Sequence, residues 1–236
     1  MMTQPNPTDE FSGEEFGAGK TFTPYLQVIH HKEANDSGFF LAEDNAQAVN
    51  FKPNPDWLPY TASLGADTIP GYRSLSARIV VVRRTPLLMF SRSEKTFLGV
   101  FDTNTYNAQK ASILLKSRYL IYLISKDKKL LHTEPLQFTT KGSLSGSFGQ
   151  SYSEFRQAME SAYGRKRGDR FFALCVFPVQ LQPVLKGREQ QSYVCTVEKF
   201  GKPTAENWKG FFLGYSEVKD KLLQDFDTYA DFVNVD

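Results

Sequence analysis

Histidine and cysteine are scarce in this chain of 236 residues, which has three of the first and two of the second. His30 and His31 are adjacent, so on an extended strand they point to opposite faces and cannot share a metal ion. His132 stands alone, and no Asp-x-Asp or Asp-x-Asn cluster offers oxygen ligands to magnesium or calcium. Cys175 and Cys195 lie in apolar runs typical of free, buried thiols. We therefore expect neither a metal nor a cofactor.

Long hydrophobic runs are also missing. No stretch approaches the ~20 apolar residues that cross a bilayer, and the N-terminus lacks the basic and apolar regions of a secretory signal. These absences predict a cytoplasmic protein with no membrane partner. Residues 1–20 are rich in Gly, Pro, Glu and Thr and predict a flexible N-terminal tail, followed by a single globular α+β domain at 21–236.

Catalytic motifs are absent as well. There is no Gly-x-Ser-x-Gly elbow, and a nucleophile needs a base beside it, which three histidines rarely provide. His132 and Glu134 would share one face of a strand and could form an oriented general base. A partly exposed pair on an edge strand is the favoured interpretation. We expect a protein that is not an enzyme, with a hydrolase built on this pair as a weaker alternative.

The sequence does contain a strong segregation of charge. Residues 1–60 hold 3 Lys/Arg against 9 Asp/Glu, net −6, and residues 61–200 hold 21 against 10, net +11. Residues 201–236 hold 4 against 7, net −3. A basic body between acidic ends is typical of a protein that meets a polyanion. The alternative is a solvated surface whose charges segregate without a function.

Short β-branched and aromatic runs predict eight to ten strands that mostly follow one another without intervening helices. The predicted strands are 24–31, 38–41, 46–51, 78–84, 87–92, 96–101, 119–124, 130–140, 170–177 and 191–197. Residues 52–72, with four prolines, are expected to be a long loop. This pattern predicts an α+β fold, mainly antiparallel, with an OB-like or other closed barrel core.

One helix is firmly indicated at about residues 151–163. Ser151 and Glu154 have the spacing of a capping box, and Gly164 is placed to end the helix. The preceding loop, 142–149, carries three glycines between a strand and a helix N-terminus, where backbone amides can hold phosphate. Residues 104–116 are more weakly helical, and residues 207–236 predict a further helix.

Basic and aromatic residues interleave through the body, a mixture that binds single strands because cations follow phosphates while bases stack on rings. We therefore predict non-catalytic binding of single-stranded DNA or RNA on a basic, aromatic-lined β surface. The candidate residues are Arg83, Arg84, Arg92, Lys116, Arg118, Lys141, Phe148, Arg156, Arg165, Lys166, Arg167 and Arg170. Lys95 belongs to the same constellation, as do the rings of Phe90, Tyr119, Tyr122, Phe138 and Phe171. Of these rings, Tyr122 and Phe171 are expected to lie in the core.

Three segments carry a resemblance: TPYLQV at 23–28, GFF at 38–40 and LQFTTKG at 136–142. Together they resemble an uncharacterised family of cyanobacterial proteins of unknown function, which implies no site residues. The order of the elements is also similar to that of phage-type single-strand DNA-binding proteins of the OB-fold kind. That likeness implies a small β-barrel, a helix and an acidic C-terminal tail.

The acidic C-terminus allows two interpretations. Asp225, Asp227, Asp231 and Asp236 could form a tail that occupies the nucleic-acid groove or docks on a protein partner. Alternatively, the helical spacing of Leu222, Phe226, Tyr229 and Val233 predicts the buried stripe of a terminal helix. The alternative function for the whole chain is a protein–protein interaction or assembly subunit, including a homo-oligomer, that uses the same exposed aromatic residues.

Overall fold

The longest strands and helices of the chain follow its apolar periodicity. The structure is a computed structural model and describes residues 23–64, 67–187 and 191–234; the predicted tail at 1–20 lies outside them. Strands are β1 (Tyr25–Ile29), β2 (Gly38–Ala42), β3 (Leu58–Leu64), β4 (Asp67–Ser74), β5 (Ser76–Arg84), β6 (Leu88–Ser91), β7 (Phe97–Val100), β8 (Ile113–Leu123), β9 (Leu136–Lys141), β10 (Val176–Lys186) and β11 (Ser192–Phe200). Helices are α1 (Glu43–Ala48), α2 (Thr103–Gln109), α3 (Ser143–Tyr163), α4 (Asp169–Phe172) and α5 (Lys219–Thr228).

These eleven strands form one sheet in the order β11-β10-β5-β8-β9-β1-β2-β4-β3, with β6 pairing with β8 and β7 with β6. The pairing of β1 with β9 is parallel, and the other ladders between described strands are antiparallel. The α+β class and the mainly antiparallel sheet are therefore confirmed. The closed, OB-like barrel is wrong, because no ladder in the described part of the chain joins β11 to β3.

Helix α3 supplies the core on one side of the sheet, here called the α3 face. Its side chains Phe148, Tyr152 and Phe155 pack against Tyr119 of β8 and Phe177 of β10, with ring centroids 5.1 to 6.5 Å apart. All five are buried. Helix α3 therefore covers this side of the sheet.

The predicted helix at 151–163 is real but starts eight residues earlier, at Ser143. The glycine-spaced segment 142–149 is therefore not a phosphate-binding loop, and Ser151 lies inside the helix, where it cannot cap it. Leu144 and Phe148 extend the buried stripe toward the N-terminus, and their burial outweighs the ~1 kcal/mol that each internal glycine costs. Gly164 ends the helix in the left-handed conformation, φ +81°, as predicted.

Helix α5 covers part of the opposite side, here called the α5 face. Leu222 and Phe226 pack with Val80 of β5 and Tyr122 of β8 in a second buried cluster. The C-terminal helix is confirmed, and the packed interpretation of the C-terminus holds. Because β8 is covered on both sides at residues 119–123, its sequence there is continuously apolar instead of alternating.

Several segments depart from their predicted structure. The predicted strands 46–51 and 170–177 overlap helices α1 and α4, and β10 begins only at Val176. The predicted strand 130–140 is reduced to β9, and the predicted helix 207–236 is reduced to α5, with a 3-10 turn on either side. The weak helix at 104–116 ends at Gln109, and β8 starts within it. Residues 52–72 form β3 and most of β4. Their prolines fit because Pro59 lies on the edge strand β3, and Pro70 precedes the β2–β4 ladder, which begins at Gly71.

Candidate nucleic-acid interface

A group of cations lies on the α5 face of the sheet, beyond the part that α5 covers. Lys116 and Arg118 share the alternation of Tyr122 on β8, and their register partners on β9 are Lys141 and Thr139. Lys116 and Lys141 therefore stand directly opposite each other on one face. We call Lys95, Lys116, Arg118 and Lys141 the basic face. Arg92, which is exposed, lies on the same β6–β7 hairpin as Lys95.

The charges of the basic face are not compensated by the protein. Among the residues that the structure describes, no ion pair involves any of its four members. Partial burial lowers the pKa of Lys116, and the charges of Lys141 and Lys95 lower it further. Like charges opposite each other across a ladder are destabilising. The folded protein thus holds an unfavourable electrostatic arrangement that a bound polyanion would relieve.

Aromatic rings border the basic face. The Lys116 ammonium lies 4.0 Å from the centroid of the Phe90 ring, and Phe97 lies 5.5 Å from Phe90. Tyr25 of β1 pairs in register with Gln137 of β9, two residues along the same face from Thr139. Phe97 is 39% exposed and Tyr25 is 42% exposed. The Phe97 ring is accessible to a stacking partner, and sequence reasoning missed both residues as candidates. The apolar Leu26 that follows Tyr25 was the sequence signal for the outward position of Tyr25.

Three predicted arginines are engaged within the protein instead. The Arg83 guanidinium lies over the Phe226 ring, 3.5 Å from its centroid, and donates to the Phe226 carbonyl. Arg156 pairs with Asp169 at 2.7 Å and lies over the ring of Phe172. The third, Arg170, pairs with Asp227 of α5. These cations hold α4 and α5 in place, so we exclude them from the basic face.

Four other predicted cations lie away from the basic face. Arg84 points to the α3 face, where its guanidinium lies 5.7 Å from the Tyr152 ring. Arg165 and Lys166 are exposed beyond the end of α3. Arg167 lies over the Tyr163 ring at 4.3 Å, and its backbone amide donates to Glu160. The twelve predicted residues therefore do not form one surface.

Phe148 was predicted as a stacking ring, and the structure corrects this. Its side chain is 0% exposed because it lies at the centre of the α3 face. Of the other rings in the predicted constellation, Tyr119, Tyr122 and Phe138 are also buried, whereas Phe90 borders the basic face. Because β8 is covered on both sides at residues 119–123, Tyr119 and Tyr122 cannot reach a ligand.

His132 serves the fold. Its Nε2 accepts the Leu123 amide at 2.9 Å, and its Nδ1 donates to the Glu134 carbonyl at 2.6 Å. The ring is 2% exposed and stacks on Tyr122, with centroids 5.1 Å apart. Burial lowers the pKa of His132 to about 4. With both nitrogens occupied by backbone groups, His132 has no lone pair for a substrate, and the carboxylate of Glu134 does not contact it.

Cys195 and His30 connect two parts of the sheet. The Cys195 amide of β11 donates to His30 Nδ1 at 2.9 Å, and the Cys195 thiol donates to the Ile29 carbonyl of β1 at 3.1 Å. Burial raises the pKa of both Cys195 and Cys175, and both thiols are free, as predicted. In the described ranges, no three His, Cys, Asp or Glu side chains are placed to hold a metal ion.

The helices give no sign of a membrane span. Across residues 23–64, 67–187 and 191–234, none of them combines the length and the apolar character needed to cross a bilayer. The longest, α3, is amphipathic and packs against the sheet.

Comparisons with known proteins give a family but no activity. Uncharacterized protein 254L of Invertebrate iridescent virus 6 is 26% identical over an alignment 245 positions long, which covers 86% of this chain and 72% of the viral protein. No solved structure matches. The predicted membership of an uncharacterised family is confirmed, whereas neither a cyanobacterial origin nor a likeness to phage single-strand DNA-binding proteins receives support. The family model described as "Domain of unknown function (DUF5895)" matches residues 20–236, and the chain therefore belongs to the DUF5895 family.

Proposed function

We propose that this protein binds single-stranded nucleic acid, without chemistry, on the basic face. The observation that carries the proposal is the Lys116–Lys141 pair: two lysines opposite each other in the ladder, with no carboxylate partner among the described residues. Repulsion between them favours a ligand with closely spaced negative charges. A phosphate backbone is such a ligand, and the exposed ring of Phe97 can stack on bases.

The test is the salt dependence of binding to a labelled, single-stranded oligonucleotide. Each neutralised phosphate contributes about −0.7 to the slope of log affinity against log salt, so the four cations of the basic face predict a slope of about −3. Fluorescence anisotropy between low and moderate salt measures it. A flat dependence, or no binding at low salt, would contradict the proposal.

A matched pair of variants locates the binding surface. Lys116→Gln with Lys141→Gln removes two charges from the basic face, and we expect at least about tenfold weaker binding and a slope smaller by about 1.4. Arg165→Gln with Lys166→Gln removes the same charge from the exposed end of α3 and is the control. Equal losses in both variants would mean that net charge alone attracts the oligonucleotide.

A second candidate function, assembly with another protein or another copy of this chain, rests on strand β7. This strand pairs only with β6 in the described sheet, and its free edge carries Phe97, Leu98 and Val100, which are 39%, 48% and 52% exposed. The unpaired backbone N–H and C=O groups of such an edge are a template for adding a further strand, and exposed apolar side chains favour the pairing.

Sedimentation of the wild type and of Leu98→Lys distinguishes the two functions. Assembly through β7 predicts concentration-dependent association that Leu98→Lys abolishes, because a charge on an edge strand opposes pairing. Nucleic-acid binding by the basic face predicts that Leu98→Lys leaves oligonucleotide affinity within about twofold, since the substitution adds only one exposed charge. A monomeric wild type at all concentrations would exclude self-assembly.

A further inference from the structure

A second concave site lies at the opposite end of β8 from the basic face. Arg78 of β5 is the ladder neighbour of Ile124, and its carbonyl accepts the Ile124 amide at 2.9 Å. Eight residues of extended chain separate Ile124 from Lys116, roughly 26 Å. The cavity there has a volume of about 420 Å³ and is walled by β5, β10, the end of β11 and the loop before β3. That volume lies within the range of small-molecule sites.

The lining of this cavity contains more cationic side chains than carboxylates. Arg78, Lys126 and Lys199 face it together with a single carboxylate, Asp56. Asp56 lies 3.8 Å from Lys126. The described residues give the Arg78 side chain neither a hydrogen bond nor an ion pair, and its buried Nε has no acceptor. Desolvation lowers the pKa of Arg78, and the negative charge of Asp56 offsets only part of this decrease.

Arg78 as a whole is half-buried, but its Nε is held out of water without an acceptor, and such a donor costs free energy. Arginine presents a planar set of donors that matches a carboxylate or phosphate group in two parallel hydrogen bonds. The remaining walls are apolar or neutral and include Trp57, Ile124 and Phe200. A ligand that complements both the cationic and the apolar walls of the cavity has one anionic end and one apolar ring or chain.

We propose that this cavity binds a small organic anion, a phosphate ester or a carboxylate, whose oxyanion contacts the Arg78 guanidinium and whose apolar part lies against the Trp57 and Phe200 wall. This site is independent of the basic face and of the nucleic-acid proposal. The lysines Lys126 and Lys199 add long-range attraction, and Asp56 opposes it.

The experiment uses phenyl phosphate and benzoate as probes, with benzyl alcohol as the neutral probe of similar shape. The chain has two tryptophans, so Trp208→Phe leaves Trp57, at the cavity wall, as the fluorescent reporter. We expect a saturable change in Trp57 emission with at least one of the anions below roughly 10 mM, and a rise in melting temperature on binding. The two anionic arms separate phosphate from carboxylate recognition.

Two further substitutions, made in the Trp208→Phe background, act in opposite directions. Arg78→Met keeps an unbranched apolar side chain but removes the charge, and should weaken binding at least about tenfold. Asp56→Asn, in an exposed loop, removes the opposing carboxylate and should tighten binding severalfold. Arg165→Met, which removes an exposed cation outside the cavity, is the control and should bind the probes as the parent does. Oligonucleotide binding should stay unchanged in Arg78→Met, which separates a failure of this site from a failure of the basic face.

Three results would overturn the proposal. The first is no saturable response to either anion in the Trp208→Phe parent. The second is equal binding of benzyl alcohol, which would make the cavity a purely apolar one. The third is unchanged anion affinity in both Arg78→Met and Asp56→Asn. If Arg78→Met does not fold, Asp56→Asn decides: tighter binding supports the proposal, and unchanged or weaker binding contradicts it.

Discussion

His132 shows how a side chain with catalytic chemistry becomes structural. Its position two residues before Glu134 made a general base conceivable, yet both ring nitrogens bond to backbone groups and the ring stacks on Tyr122. Periodicity predicts which face of a strand a residue occupies, but it does not predict that a buried backbone amide, here that of Leu123, will need an acceptor. In this fold, His132 provides the acceptor for the Leu123 amide.

The neutral state of His132 makes stability depend on pH. Its pKa is lowered from 6.5 to about 4 in the folded protein, so between these values the unfolded chain binds a proton that the folded chain does not. The free energy of unfolding should therefore fall as pH drops from about 6.5 toward 4, by at most roughly 3 kcal/mol from this residue.

Urea unfolding at several pH values, compared between the wild type and His132→Gln, measures this contribution. The variant should be less stable at pH 7 but should lose part of the pH dependence. His30, whose pKa burial also lowers, is present in both proteins and cancels in the comparison. Identical pH slopes would show that His132 does not carry the effect.

Among the elements, α5 links the acidic C-terminus to the basic body. Asp225 accepts the Tyr122 hydroxyl at 2.7 Å and pairs with Lys221 at 3.3 Å, while Asp227 pairs with Arg170. These carboxylates are tied to the α5 face, and Leu222 at 0% exposed is the apolar anchor. The acidic C-terminus is thus a folded part of the molecule as far as Asn234, the last residue described.

Leu222→Ala should destabilise the protein by about 2–5 kcal/mol, because it leaves a cavity beneath α5. Gln224→Ala, on the exposed side of the same helix, is the matched control and should change stability by no more than about 0.5 kcal/mol. Thermal and denaturant unfolding measure both.

Truncation after Lys221 should lower the melting temperature or cause aggregation, without a gain in oligonucleotide affinity. A folded truncation that binds the oligonucleotide more tightly would restore the interpretation of the C-terminus as a competing tail.

Sequence periodicity predicted the elements whose burial is regular and missed those where tertiary contacts decide. The runs at 78–84, 87–92, 96–101 and 191–197 became strands, since their β-branched and aromatic residues fit a half-buried sheet. The N-terminal third of α3 was missed because its glycines and serines favour a loop locally. Leu144 and Phe148 reverse that preference only once the sheet is present to cover them.

For the molecule as a whole, the net charge of a sequence segment does not show where its charged side chains lie in the folded protein. Segment sums gave a body of +11, which correctly indicated uncompensated cations. They could not show that Arg170 is neutralised by Asp227, 57 residues later, or that Lys116 and Lys141 meet across a ladder. Strand register therefore determines which cations belong to the basic face, and the sequence did not reveal that register.

Strand β1 lies inside the sheet, between β9 and β2, and its parallel pairing with β9 joins segments more than a hundred residues apart. During synthesis, the N-terminal strand must therefore wait until residues 136–141 have left the ribosome before both of its edges are covered. Until then β1 exposes one unpaired edge, and chains stalled before residue 136 should be cleaved by protease within Tyr25–Ile29, which β9 and β2 flank in the finished protein. The order of translation thus leaves one edge of β1 unpaired until after β2 to β8 have been synthesised.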